Sequence, residues 1–548
     1  MLGGCGSAQR DALKDYRTAY IQGDYVAAAA QLKKSKLDKE PKSRLLLLME
    51  SGRLAYARGD LPTAIASFTA ATELIDAQYT KSISREASKW VVNDANGEFF
   101  GATYERSWLF YHLALSHWRT YQEGKLPKEE ARRHLFNARA ALLAWDSFFQ
   151  DWQRSSGGKS VYRHDLAAKV VAAEVHEATG QRNDLQIALQ LYKDAWKLLD
   201  TLSPAYQAYN SSAGGYAKLL ASKLNDDGVF SPPSKERSPS IVDGHMRGFL
   251  RDKIILLTSQ LRAGELLEVQ KQLGFSKEEV AAARQLKSAN VVLFLEEGTI
   301  PAKTATTINL GIKGIAAMAK DEKTRRQIET TGSQLVATFA VEVLGLAASH
   351  PQNVGQYLAT RDLTAVAVNE AAIAFEVPAI PQDKVPEPLW LVIKSFDGKE
   401  LLVRPWGLAS PLEEVARQSL DEEAGQRILR TGVRVATKHL TAILAAYALY
   451  TGMKGQNNEN ALFAKFAAMG SYVAATKAIA ASERADTRAW ATLPRALRVT
   501  DVNLPAGRYQ VGLARKLEQN APGDVHPLGE IMVPAEGKAV FTYLRPQM

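Results

Sequence analysis

The sequence predicts an α+β fold, a helical repeat array over residues 10–285 followed by a mixed, β-sheet-containing domain over 289–548. Three observations carry this reading. Two stretches near the start superpose at an offset of 36 residues, helical patterning continues to about residue 285, and beyond 289 short β-branched and aromatic runs bounded by Gly and Pro take over. The chain has 548 residues, more than one hydrophobic core usually fills, so two or more domains are expected. With 46% hydrophobic and 23% charged residues it has the balance of a chain that folds.

The first nine residues read as a processing site and tether. Leu2-Gly3-Gly4-Cys5 has the form of a bacterial lipobox, with an aliphatic residue three before the cysteine and small residues between them. Cys5 is the only cysteine, so no internal disulfide is available and the expected modification is a lipid on its sulfur. Gly6 after it, rather than Asp, points to the outer membrane. Only four residues precede Cys5, so the charged and apolar parts of a signal peptide are missing. Two accounts fit: the start lies inside a longer signal peptide, or Met1 is the true start and Cys5 is a surface thiol of a cytoplasmic protein.

Residues 10–285 read as helical. "TAYIQGDYVAAAAQL" (Thr18 to Leu32) and "LAYARGDLPTAIASF" (Leu54 to Phe68) match at Ala19/Ala55, Tyr20/Tyr56, Gly23/Gly59, Asp24/Asp60, Ala28/Ala64 and Ala30/Ala66. This is a helix-turn-helix unit near the roughly 34-residue tetratricopeptide period, hence a TPR-like array. Gly ends one helix in a left-handed turn, Asp caps the next, and Pro62 sits in a first turn where its missing N–H costs nothing. A third unit is read near 111–143 and a fourth near 172–199. Between Ser203 and Gly244 the Pro-, Ser- and Gly-rich text predicts a long loop, after which Ser276 and Glu279 mark a capping box.

The second half opens with "ANVVLFLEEGTIPAK" (Ala289 to Lys303), a buried strand and a turn. Further strands are expected in 371–380, 388–396, 399–406, 496–504, 507–517 and 539–546, and Ala-rich helices over about 411–453 and 460–484. The sheet is expected to be mostly antiparallel and covered by helices on one side.

Motifs that suggest chemistry give way to plainer readings. The net charge of +9, from 68 Lys and Arg against 59 Asp and Glu, is diffuse; it suits loose attraction to anionic surfaces and lacks the basic, aromatic-laced stripe of a nucleic-acid groove. "SSGGKS" (Ser155 to Ser160) lacks the first Gly of a phosphate loop, since residue 153 is Gln, and as S-x-x-K it has no downstream K-T-G. His176-Glu177 begins a zinc motif whose second His is replaced by Gly180, and His112 and His117 are five apart, so packing among Trp108, Tyr111 and Trp118 is the better account. Of the carboxylate groups, Glu296 and Glu297 face opposite sides of a strand, and Asp421-Glu422-Glu423 reads as a helix cap. No catalytic residue, metal or cofactor is expected, and no segment reaches the roughly 20 apolar residues of a membrane span.

Three stretches, "NDANGEFFGATYERSWLFYHLALSHW" (Asn93 to Trp118), "VVLFLEEGTIPAK" (Val291 to Lys303) and "ERADTRAWATLPRALRVTDVNLPAGRYQV" (Glu483 to Val511), resemble a family of uncharacterised outer-membrane lipoproteins of Gram-negative bacteria. The resemblance covers most of the chain and is weak over 304–364 and 457–480. Its pattern falls here on Tyr104 and Glu105, on Glu296, Gly298, Pro301 and Lys303, and on Asp486, Arg488 and Trp490. It implies an envelope location and this two-part architecture, and no enzymatic activity. The nine positions are expected to form a structural latch, with a binding site as the alternative: an Asp486–Arg488 ion pair beside Trp490, whose indole wedges between strand and helix, and a tight Gly298–Pro301 turn that leaves Lys303 free at its mouth.

The function expected from the sequence is therefore a non-catalytic periplasmic scaffold on the outer membrane, anchored through Cys5, with a protein or peptide partner in the repeat groove and peptidoglycan as a further candidate. The alternative is a cell-wall or glycan-binding protein, or an envelope hydrolase, with a cleft between the two halves.

Overall fold

A computed structural model describes residues 5–84, 97–155, 164–200, 243–310, 373–381, 387–417, 484–515, 517–518, 521–535 and 539–545, with single helical positions between 419 and 479. The helices are α1 (Cys5–Ile21), α2 (Tyr25–Lys34), α3 (Arg44–Ala57), α4 (Leu61–Ser84), α5 (Thr103–Gln122), α6 (Lys128–Ser155), α7 (Leu166–Ala178), α8 (Arg182–Asp200), α9 (Asp243–Leu261), α10 (Leu266–Leu273) and α11 (Lys277–Gln285). Because α1 begins at Cys5, the stretch Gly6 to Gln9 is helical and not the loose tether read from its composition.

Helices α1 to α8 pack as successive hairpins, α1 with α2, α3 with α4, α5 with α6 and α7 with α8. The two turns matched in sequence close alike. The Gly23 and Gly59 φ values are +76° and +77°, a conformation that only glycine adopts without strain. The Asp24 N–H donates to Ala19 O at 3.0 Å and the Asp60 N–H to Ala55 O at 2.9 Å, while their carboxylates accept from the N–H groups of Ala27 and Thr63. The third and fourth hairpins also turn at left-handed glycines, Gly124 and Gly180. The Ser276–Glu279 capping box opens α11 as read. Residues 203–242 of the expected loop, the "GGKS" glycines and the Asp421-Glu422-Glu423 triplet lie outside the described residues, while its last two positions, Asp243 and Gly244, already belong to α9.

The strands are β1 (Val291–Glu297), β2 (Thr304–Leu310), β3 (Ile373–Ala379), β4 (Trp390–Ser395), β5 (Glu400–Pro405), β6 (Gly407–Ser410), β7 (Ala496–Val502), β8 (Gly507–Ala514), the two-residue β9 (Leu517–Glu518) and β10 (Ala521–Pro522), β11 (Val525–Val533) and β12 (Ala539–Arg545). One sheet has the order β12-β1-β7-β6 and a second β11-β8-β4-β5; β2 pairs with β3. All pairings are antiparallel except β1 with β12. The chain is thus mixed α+β.

Apart from the two-residue β9 and β10, three strands escape the sequence reading for physical reasons. In β11 the period-2 pattern is broken by Pro527 and Gly529, and the pairing with β8 shifts there on an edge strand, where a proline is tolerated. Strand β6 is the low-propensity "GLAS", held by β7. Strand β2 resumes past Pro301, where the reading stopped at Lys303.

The alternation of β1 sets the layering. Val292 and Phe294 join the apolar core of the helices, together with Leu497 and Val499 of β7. Val291, Leu293 and Leu295 join a second core with Leu391, Ile393, Val511 and Leu513. The order is therefore helices, first sheet, second sheet. The first sheet carries the helices of the N-terminal half on one face and the second sheet on the other; the Ala-rich helices expected over about 411–453 and 460–484 lie mostly outside the described residues. That is why β1 reads as one unbroken apolar run.

Candidate functional site

Buried charge concentrates where α1, α3 and α5 meet the end of β1 and the segment that leads into β7. A strand turns successive side chains to opposite faces, so Glu296 follows Val292 and Phe294 toward the helices while Glu297 faces the second sheet and accepts from Arg498 Nε at 2.8 Å. Glu296 is met by the Arg53 guanidinium of α3, both side chains 2% exposed or less, and by the Tyr111 hydroxyl of α5, which donates at 3.0 Å. The rings of Tyr20 and Tyr56 flank the guanidinium at 5.7 and 5.8 Å, and its Nε reaches Thr492 O at 3.4 Å.

One helical turn before Arg53, Glu50 lies fully buried without a cation of its own. Its carboxyl accepts from the hydroxyls of Tyr16 (3.0 Å) and Thr492 (2.6 Å) and from the Ala491 N–H. Burial pushes this carboxyl up to about 7, although the three hydrogen bonds and Arg53 pull it down. Tyr16 and Tyr111 are held well above the usual phenol range, first by burial and then by the carboxylates beside them.

The nine positions picked out by the resemblance meet along this same seam. Glu105, in the first turn of α5, accepts from the Ala102 N–H (2.6 Å), from the Trp490 N–H (2.9 Å) and from Lys303 Nζ at 3.2 and 3.3 Å. Lys303 is not free: its side chain is 5% exposed, donates also to Arg488 O at 3.2 Å and stands 5.6 Å from the centre of the Tyr104 ring. The carboxylate of Glu105 and the apolar cover above it hold the ammonium that the turn alone would have left in water. Gly298 turns with φ +52°, and the loop behind it is bound by the Arg17 guanidinium, which donates to Thr299 Oγ1 and Ile300 O at 2.8 Å. Pro301 is half-buried in that loop.

Asp486 and Arg488 form a two-point ion pair at 2.8 and 2.9 Å, half-buried, and the guanidinium lies over Phe99 and donates to Gly97 O. The Trp490 indole, 2% exposed, wedges between α4 and α5, against Phe68 and His112, and not between strand and helix as expected.

Other candidates are placed apart from this cluster. His112 is fully buried and stacked on Phe68, 5.6 Å between ring centres, and burial with the nearby Arg53 drives its imidazole well below the usual range. His117 points instead to His134 of α6. His176 bonds Asp184 at 2.8 Å, and Glu177 pairs with Lys253 and the Tyr192 hydroxyl. Lys253 of α9 forms a second buried bridge, to Glu174 (2.8 Å), Glu177 (3.0 Å) and Asp501 of β7 (2.9 Å). Burial opposes its charge, yet the three carboxylates hold it well above the ordinary range.

Tyr16, Glu50, Arg53, Tyr111, Lys253 and Thr492 were not found from sequence. Their one signal was a charged residue inside an otherwise apolar helix face, at Glu50 and Arg53 of "LLLLMESGRLAYA", where a buried charge requires a partner. The described residues include no group of three or more His, Cys, Asp or Glu arranged for a metal, and no helix long and apolar enough to cross a membrane. In chemical terms the arrangement clamps strand to helix: each carboxylate of the seam is engaged by donors of the chain itself. No family model matches the chain, and neither a curated protein nor a solved structure is similar to it.

Proposed function

We propose that the protein is a non-catalytic scaffold or adaptor of the Gram-negative cell envelope, anchored to the outer membrane on its periplasmic side by a lipid on Cys5. Its helical hairpins act as a TPR-like array that holds a protein or peptide partner, and its strand half braces the array. The observation that carries the reading is the closed seam. Glu50, Arg53, Glu105, Glu296 and Lys303 are spent on one another and on Tyr16, Tyr111 and Thr492, an arrangement that ties the helices to β1 and its flanking segments and leaves these groups no reach to a substrate.

The contact that the described residues make between the halves favours this reading over a cleft-based glycan binder or hydrolase, since Tyr104, Tyr111 and Trp490 occupy it at 2% exposure or less. The two like-closing turns 36 residues apart support a repeat array, and the resemblance and lipobox support the location.

Mass spectrometry of the N-terminal peptide from native cells tests the anchor. A diacylated or triacylated Cys5, with Cys5→Ala released from the outer-membrane fraction, is expected. An intact Met1 with a free thiol overturns it. Crosslinking in cells with photoreactive residues at Phe136 and Leu143, exposed on α6, tests the adaptor role. Capture of one protein at defined stoichiometry is expected; turnover of a cell-wall polymer by the purified protein refutes the non-catalytic reading.

A further inference from the structure

The α5–α6 hairpin brings two imidazoles together that the sequence keeps 17 residues apart. His117 of α5 and His134 of α6 face each other with their Nδ1 atoms 2.9 Å apart and their rings inclined at 50°. His117 is 7% exposed and His134 is half-buried, so the pair opens to solvent on the His134 side. Among the described residues no carboxylate lies within ion-pair reach of either ring. In the Nδ1···Nδ1 hydrogen bond one ring donates and the other offers the lone pair of its Nδ1.

We propose that His117 and His134 bind a late first-row divalent metal ion, copper(II) before nickel or zinc, through both Nδ1 atoms, with water completing the coordination. With metal–nitrogen bonds of roughly 2.0–2.1 Å, two nitrogens 2.9 Å apart subtend about 90° at the metal, the cis angle of a square-planar or octahedral site. A tetrahedral zinc site would need the nitrogens to part by about half an ångström, which two packed helices resist. Imidazole nitrogen suits these ions, and copper heads their affinity order. On binding, the donor ring gives up its Nδ1 proton to solvent and takes one at Nε2, so both rings ligate as neutral imidazoles. With two protein ligands the ion is held exchangeably, as a sensed or carried ion would be, and it ties α5 to α6 near their shared turn.

The test is a copper(II) titration of the tag-free full-length protein at neutral pH, read by electron paramagnetic resonance. One saturable copper with splitting from two imidazole nitrogens is expected. His134→Gln and His117→Gln should each weaken binding at least tenfold and remove one nitrogen from the spectrum, whereas His526→Gln should change neither. His134 is half-buried, so His134→Gln keeps the fold, which circular dichroism checks. An unchanged copper signal in both variants, no saturable binding, or zinc bound more tightly than copper overturns the proposal.

Discussion

The bridge between Arg53 and Glu296 gives the sharpest test of how the helical half is fixed to the first strand. Their side chains are 2% and 1% exposed. Arg53→Met leaves Glu296 with only the Tyr111 hydroxyl, and Glu296→Leu leaves the guanidinium between two tyrosine rings with the Thr492 carbonyl. Removing one partner of such a pair costs about 3–5 kcal/mol, because the remaining charge is already out of water and cannot return to it. Replacing both by apolar side chains of similar volume removes both desolvation penalties together, and the double variant should stand within about 2 kcal/mol of the wild type. The expected coupling is therefore about 4 kcal/mol or more in favour of the double variant. Urea unfolding followed by tryptophan fluorescence measures it, since Trp108 packs on Tyr111, 4.8 Å between ring centres, and Tyr111 donates to Glu296. If the two single losses simply add in the double variant, Arg53 and Glu296 do not interact as a desolvated pair and the clamp described here is refuted.

Three further outcomes are expected. Glu50 is protonated more readily folded, at about 7, than unfolded, at the usual 4.5, so its contribution is complete below about 4.5 and is lost as pH rises through 7. The loss is about 3 kcal/mol, and Glu50→Gln, whose amide the Tyr16 and Thr492 hydroxyls can turn to meet, should remove that slope from unfolding curves compared at pH 5 and pH 8. A wild-type slope retained in the variant places the titration elsewhere. A Cβ on Gly52 would stand 2.7 Å from the fully buried Phe68 ring, so Gly52→Ala should cost about 1–3 kcal/mol in spite of alanine's better helix propensity, and a stabilised variant contradicts that packing. Asp24→Ala and Asp60→Ala each remove one capping acceptor and should cost about 1 kcal/mol apiece by thermal unfolding, adding independently in the double variant.

The clamp also accounts for why the two halves work as one unit. Among the described residues, polar bridges cross from helices to the first sheet or its flanking segments at Arg53 to Glu296, Glu105 to Lys303, Lys253 to Asp501, Arg17 to Thr299, Glu50 to Thr492, and Asp165, which accepts from Trp108 Nε1 and from the Ser410 hydroxyl of β6. The Arg53–Glu296 and Glu105–Lys303 pairs are buried, at 5% exposure or less, beside the apolar core that Val292 and Phe294 share with the helices. A sheet docked only by apolar contact has several near-equivalent registers; buried charges that must find their partners select one.

What the sequence determined by itself is what short-range physics decides. The Gly-Asp turns at 23–24 and 59–60, the capping box at Ser276, seven of the strands and the opposite facing of Glu296 and Glu297 depend on dihedral preference, capping and a two-residue alternation, all legible within a few neighbours. The seam was legible only as a list: the motif residues were named, but the freedom of Lys303 and the place of the Trp490 indole were misread. Tertiary structure alone decided the partners. Arg53 finds Glu296 across 243 residues, Thr492 finds Glu50 across 442, and β1 takes β12 as its parallel neighbour and a second sheet on its outer face. A side chain's periodicity announces that it is buried, whereas the group it is buried against depends on how whole elements dock, and no local stretch of the chain carries that information.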